Sequence, residues 1–125
     1  MYDLVLKNCK IINENSIFES DIAIKDSRIE KISVDISSDT KQVVDVNGRY
    51  VIPGLIDDQV HFREPGLTHK ANIFSESRAA IAGGITSYME MPNTIPQTLT
   101  QNLLAEKIDI GKNASLANFS FFFGA

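Results

Sequence analysis

The chain has 125 residues, enough for one ordinary domain or for a piece of a larger protein. Hydrophobic residues make up 43% and charged residues 22%, a globular balance that sets aside disordered and fibrous classes. A formal net charge of −4 with scattered lysines and arginines excludes a nucleic-acid platform or a polybasic membrane-surface segment, both of which need clustered positive charge.

The N-terminus, MYDLVLKNCK, lacks the basic start and apolar centre of a signal peptide. No uncharged apolar run approaches the roughly 18 residues of a membrane span. Cys9 is the single cysteine and has no internal disulfide partner, which fits a reducing, cytoplasmic setting. It lies in a strand-like run and reads as a small buried side chain. The Asn-x-Ser sequences at Asn113 and Asn118 carry little weight without secretion.

In chain order, Leu4-Val5-Leu6 and Ile11-Ile12 are short apolar runs. Ile22 to Ile24, the polar Lys25-Asp26-Ser27-Arg28 and then Ile29 and Ile32 form the pattern of a hairpin. Val43, Val44 and Val46 precede Asn47-Gly48, and Tyr50 to Ile52 follow it. Asn-Gly takes the positive φ angles of a tight turn, which predicts a second hairpin. Residues 1–52 are therefore expected to form a small antiparallel sheet, the N-terminal part of a β-sandwich.

After Pro53-Gly54 the rhythm changes. Leu55 to Phe62 reads as a buried strand and Ile73 to Ala82 as a helix stopped by Gly83-Gly84. Ile85 to Met91 is a second strand. Thr100 caps a helix with Leu103, Leu104 and Ile108 along one side and Gly111 near its end. Ala117 to Phe123 is a third strand. Alternation of strand and helix predicts parallel pairing with helical crossovers, an α/β architecture over residues 53–125. A closed (β/α)₈ barrel needs about 200 residues or more, so the expectation is the front part of a longer protein rather than a small open domain.

The chemistry concentrates in Asp57-Asp58-Gln59-Val60-His61-Phe62-Arg63-Glu64. Alternate side chains of a strand share a face, so Gln59, His61 and Arg63 point the same way if the strand continues that far. At the C-terminal mouth of a parallel barrel that face looks into the active site. Imidazole suits zinc, and arginine matches a carboxylate with two donors. A single histidine near a strand end is, however, more often an ordinary hydrogen-bonded residue. Asn93, in Met91-Pro92-Asn93-Thr94 after the second strand, has an amide that can bind a carboxylate, or it is simply a turn residue. Glu64-Pro65-Gly66 reads as a turn, and His69 as a solvated loop residue. Asp57 and Asp58 face opposite ways, so one of them fixes a loop rather than pairing with the other in acid–base work.

The run PGLIDDQVHFREPGLTHK followed by ESRAAIAGGITSYMEMPNT resembles dihydroorotases of the amidohydrolase superfamily, in the branch shared with allantoinases and hydantoinases. The resemblance covers about residues 51–97. It implies the first strands and helices of an incomplete TIM barrel, truncated after the third strand, with the β-rich N-terminus contributing to a small sandwich. It also implies that His61 is the second histidine of a metal-binding pair and that Gln59 stands where the first is usual. Arg63 and Asn93 would hold the carboxylate of dihydroorotate or carbamoyl aspartate. Related allantoinases tend to lack the arginine and to read Met-Pro-Leu, so Arg63 and Asn93 favour dihydroorotase.

By the same resemblance the remaining ligands and the general base come from later strands. No catalytic residue lies in these 125 residues, which alone should be inactive. The implied cofactor is zinc, one or two ions per full-length subunit, in a reversible hydrolysis that serves pyrimidine synthesis. A glutamine oxygen binds zinc less well than imidazole, so Gln59 leaves three outcomes open: a weakened site, ligation through the amide oxygen, or a noncatalytic relative. The implied partners are a small-molecule substrate, a homo-oligomer and, for a noncatalytic relative, aspartate carbamoyltransferase. Another cyclic amidase, allantoinase or hydantoinase, is the remaining alternative.

Overall fold

The computed structural model describes residues 1–124. They fall into two compact units, Met1–Pro53 and Gly54–Ala125.

In the first unit β1 (Leu4–Asn13) and β2 (Ser16–Lys25) form a long hairpin, and β3 (Arg28–Ser33) pairs antiparallel with β2. Each connection places two residues at positive φ: Glu14 and Asn15 at 46° and 63°, Asp26 and Ser27 at 49° and 61°. That backbone matches the twist of the flanking strands. The turn at 26–27 stands where the sequence predicts it. The turn at 14–15 contains no glycine, and β1 is one strand of 10 residues where the sequence shows only two short apolar runs.

Asn47 and Gly48 also take positive φ, 56° and 69°, but they do not close a hairpin. β4 (Val43–Asp45) and β5 (Tyr50–Val51) both run parallel to β1, at Val5–Lys7 and Lys10–Ile11. The tight turn is a jog that keeps the chain on one edge of β1. Directly beside it β1 has its own irregularity, a bulge between Leu6 and Cys9 with Asn8 at φ 57°. The Gly48 N–H donates to the Asn8 carbonyl (2.9 Å) and the Asn8 amide donates to Asp45 Oδ1 (2.9 Å), so the two irregularities lock together. The five-stranded sheet, in the order β3-β2-β1-β4 with β5 also on β1, is therefore mixed rather than antiparallel. Turn chemistry fixes local dihedral angles; it does not choose the partner strand.

Small clusters fill this unit: Val5, Ala23 and Ile36, and Cys9, Ile11 and Ile22. Cys9 is fully buried, as expected, and burial raises its pKa. Asp21 is also buried, and its carboxylate accepts from Lys7 Nζ (2.6 Å) and from the backbone N–H groups of Asn8 (3.0 Å) and Ile36 (3.1 Å). Burial alone would raise the Asp21 pKa, but these donors together outweigh it and hold the group below its ordinary value.

The second unit contains β6 (Leu55–Val60), β7 (Ile85–Glu90) and β8 (Asn118–Phe121), parallel in the order β6-β7-β8. The crossovers are α1 (Ile73–Ala82) and α2 (Gln101–Ala114). Side chains cap both helices: Asn72 accepts from the Ser75 N–H (2.8 Å) and Thr100 from the Leu103 N–H (3.3 Å), satisfying donors that have no partner within the helix. Of the glycine pair after α1, Gly83 remains right-handed and only Gly84 takes positive φ, 90°.

The core gathers Phe62, Ile73, Tyr88 and Ala117, with Phe119 and Phe121 packed against them. The Tyr88 ring lies 4.5 Å from that of Phe62 and 6.3 Å from that of Phe119, and its hydroxyl is 3.1 Å from Ser115 Oγ. The first strand departs from expectation. It ends at Val60, and Leu55 and Ile56 are 51% and 71% exposed, because β6 has a neighbour on one side only. Phe62 is buried but lies beyond the strand. Among the described residues no helix is long and apolar enough to cross a membrane.

Candidate functional site

β6 and β7 are adjacent and parallel, so their C-terminal ends lie side by side. The Met91 N–H donates to the Val60 carbonyl at 3.0 Å and extends the ladder by one step. The next residue on one strand is His61, and Asn93 follows close behind the other. They meet: His61 Nδ1 is 3.0 Å from Asn93 Oδ1. The amide oxygen can only accept, so Nδ1 donates, and Nε2 is the ring nitrogen left for a metal. That is the tautomer a metal-binding histidine needs, oriented by a partner on its far nitrogen. Both residues are exposed.

Gln59, His61 and Arg63 do not form one row on a strand. The strand stops at Val60, and Arg63 takes a left-handed backbone, φ 71°, with its carbonyl accepting from the Leu67 N–H (3.0 Å). The alternation argument fails here because a tight turn replaces the last strand residues. Gln59 remains on β6 and is exposed, and its backbone N–H donates to Asp57 Oδ1 (3.1 Å), a contact within the strand rather than the loop contact expected of one of the two aspartates. Arg63 is half-buried, and among the described residues its guanidinium makes no ion pair. His69 is exposed.

The two loops at the strand ends are fastened together. The Ile95 N–H donates to the Pro65 carbonyl (3.1 Å). Gly66 adopts φ 84°, and a Cβ there would lie 1.9 Å from the Ile95 carbonyl oxygen, so only glycine permits this approach. Glu64, read from sequence as part of a turn, does more. Its Oε2 accepts from the Ile73 N–H at 2.8 Å, placing a carboxylate at the positive end of α1. Thr94 and Thr98 are buried in the second loop, where Thr94 Oγ1 donates to the Pro96 carbonyl (2.8 Å).

Behind these loops lies a pair that sequence reasoning missed. The Glu90 and Lys107 side chains are 1% and 0% exposed, with Lys107 Nζ 3.1 Å from Glu90 Oε2. Lys107 also donates to the Met91 carbonyl (3.1 Å). Neither Glu90 oxygen has a well-aligned hydrogen bond among the described residues. Burial raises the Glu90 pKa and lowers that of Lys107, and the attraction of each for the other opposes both shifts. The signal in the sequence was Lys107 itself, which falls on the apolar stripe of α2 between Leu103, Leu104 and Gly111.

Among the described residues no three histidine, cysteine, aspartate or glutamate side chains gather round one point. Zinc takes four ligands in closed sites, or three and a water in catalytic ones. This chain can offer His61 Nε2 and, as a weaker neutral donor, the Gln59 amide oxygen.

The model of the family described as "Dihydro-orotase-like" matches residues 48–115, a span that includes both strand ends, the loops that follow them and the buried pair. The chain belongs to the dihydro-orotase-like family. It is 40% identical over 113 residues to a dihydroorotase of Fusobacterium nucleatum, a match covering 90% of this chain and 27% of the relative. It is 39% identical over 124 residues to an allantoinase of Bacillus velezensis, covering 98% and 27%. Among solved structures, an L-hydantoinase from Arthrobacter aurescens superposes with a TM-score of 0.95 at 32% identity, covering 99% of this chain and 28% of that one. The dihydro-orotase-like chain thus spans roughly a quarter of the length of the relatives it matches. Its named relatives are cyclic amidohydrolases, and identity does not separate their activities.

Proposed function

We propose that this chain is the N-terminal part of a dihydroorotase, which opens the cyclic amide of dihydroorotate to carbamoyl aspartate and runs in reverse during pyrimidine synthesis. On this reading the five-stranded sheet is one part of a β-sandwich and the three parallel strands are the first arc of a TIM barrel. The observation that carries it is the contact of His61 with Asn93 at the ends of two adjacent parallel strands, with Arg63 two residues on. His61 Nε2 would hold a zinc ion, with the Gln59 amide oxygen as a weaker candidate beside it, and the resemblance places the remaining ligands on later strands. A zinc ion held there would polarise the amide carbonyl and make its bound water acidic. Arg63 and the Asn93 NH₂ supply donors for a carboxylate, which uncharged cyclic amides do not carry. These 125 residues alone should show no turnover.

The test is metal analysis of the full-length protein with assays on dihydroorotate, allantoin and hydantoin. Arg63→Ala should raise KM for dihydroorotate about ten- to a hundredfold, since a hydrogen bond to a charged group contributes about 1.5–3 kcal/mol. Turnover of an uncharged cyclic amide should be spared. Preference for hydantoin in the wild type, unaffected by Arg63→Ala, would move the assignment to hydantoinase, the reading that the L-hydantoinase superposition favours. Gln59 favours a third reading, a noncatalytic partner of aspartate carbamoyltransferase; absence of both zinc and turnover would establish it over the enzyme.

A further inference from the structure

We infer that the buried Glu90–Lys107 pair is a positioning device that holds the two site loops in register, and that it is not there for stability. The inference rests on the reading of His61, Arg63 and Asn93 as the site. Two charges taken wholly out of water gain little: replacing a buried ion pair by apolar residues of similar size is often neutral or stabilising. An account of this pair must therefore come from what it touches.

It sits where both loops begin. Glu90 is the last residue of β7, and its backbone carbonyl accepts from the Phe122 N–H (2.9 Å), so its main chain is fixed from the β8 side. On the β6 side its register partner is Val60, the residue before His61, whose carbonyl accepts from the Met91 N–H (3.0 Å); the turn at Arg63 follows. Arg63 is held there at φ 71°, a conformation that costs a non-glycine residue energy and persists only when its surroundings impose it. That turn begins directly after the strand end with which Glu90 is paired.

Lys107 reaches from α2 and completes the arrangement. Its ammonium contacts the Glu90 carboxylate and donates to the Met91 carbonyl, two residues before Asn93. One ion pair thus ties α2 to the strand end that is paired with Val60, before His61, and to the segment before Asn93. The 3.0 Å contact between those two side chains is the geometry it would maintain. An apolar pair of the same size would fill the space and leave both segments without a polar anchor.

The test compares Glu90→Gln, Lys107→Met and the double variant E90L/K107M in the metal-free full-length protein, by urea unfolding and by nitrogen NMR of the His61 imidazole. Each single change strands a buried polar partner and should lower the urea midpoint. The double change should bring the midpoint back towards wild type. The imidazole should not follow: in the double variant His61 should lose the Nδ1–H tautomer and revert towards the Nε2–H form of a free histidine. A double variant that regains its midpoint and keeps the Nδ1–H tautomer overturns the inference, and so does one that cannot fold, since the pair would then be structural. In the full-length protein the same double change should raise KM for an anionic cyclic amide more than for an uncharged one. If the wild type turns over neither, the proposed function fails while the imidazole measurement still decides the role of the pair.

Discussion

Asn93 has two chemically different ends, and its oxygen is engaged by His61. The NH₂ remains for a substrate, so one side chain can orient a metal ligand and bind an anion. Asn93→Asp separates these roles because it keeps an acceptor for Nδ1 and replaces the donor with a negative charge. We expect the Nδ1–H tautomer to survive by NMR while KM for dihydroorotate in the full-length protein rises about tenfold or more, the loss of one charge-assisted hydrogen bond. At this scale the sequence was informative about identity and weak on geometry. His61, Arg63 and Asn93 stand out as residue types, but strand alternation could not foresee the left-handed turn at Arg63. Glu64 looked like loop composition because its carboxylate works on a helix that starts nine residues later.

The elements of the second unit were more legible than their side chains. Both helices begin at the asparagine or threonine whose side chain meets an unpaired N–H, because capping is chemistry within four residues. Thr100→Ala should accordingly lower the stability of the second unit by about 1 kcal/mol, read as a fall in the urea midpoint at unchanged slope. Lys107 was the ambiguous residue. On α2 it occupies an apolar position, and nothing within the helix says whether such a lysine turns outward or is met by a buried acid from a distant strand. The Asn47-Gly48 turn fails for the same reason in the first unit. Its φ angles are local and follow from residue type, whereas the parallel pairing of β4 and β5 depends on an edge of β1 more than thirty residues earlier.

For the molecule as a whole, the two units should respond to different extremes of pH. Asp21 in the first unit has a folded pKa below the ordinary aspartate value of 3.8. Its stabilising contribution is present above that value and is lost as pH falls through the folded pKa. Acid titration followed by circular dichroism should show a loss of stability below about pH 3.8 that becomes shallower in Asp21→Asn.

Tyr88 sets the opposite limit for the second unit. Its ring is 1% exposed, and burial above all raises the hydroxyl pKa beyond 10.0, with the Ser115 hydrogen bond opposing the shift. The folded state therefore resists forming the phenolate, and the stability this gives is complete below pH 10 and lost as pH rises through the folded value. Since the chain has no tryptophan and only three tyrosines, near-ultraviolet absorbance is an optical reporter already built into it. A delayed phenolate step that coincides with collapse of the aromatic circular dichroism would mark the opening of the Phe62–Tyr88–Phe119 stack, with no label attached.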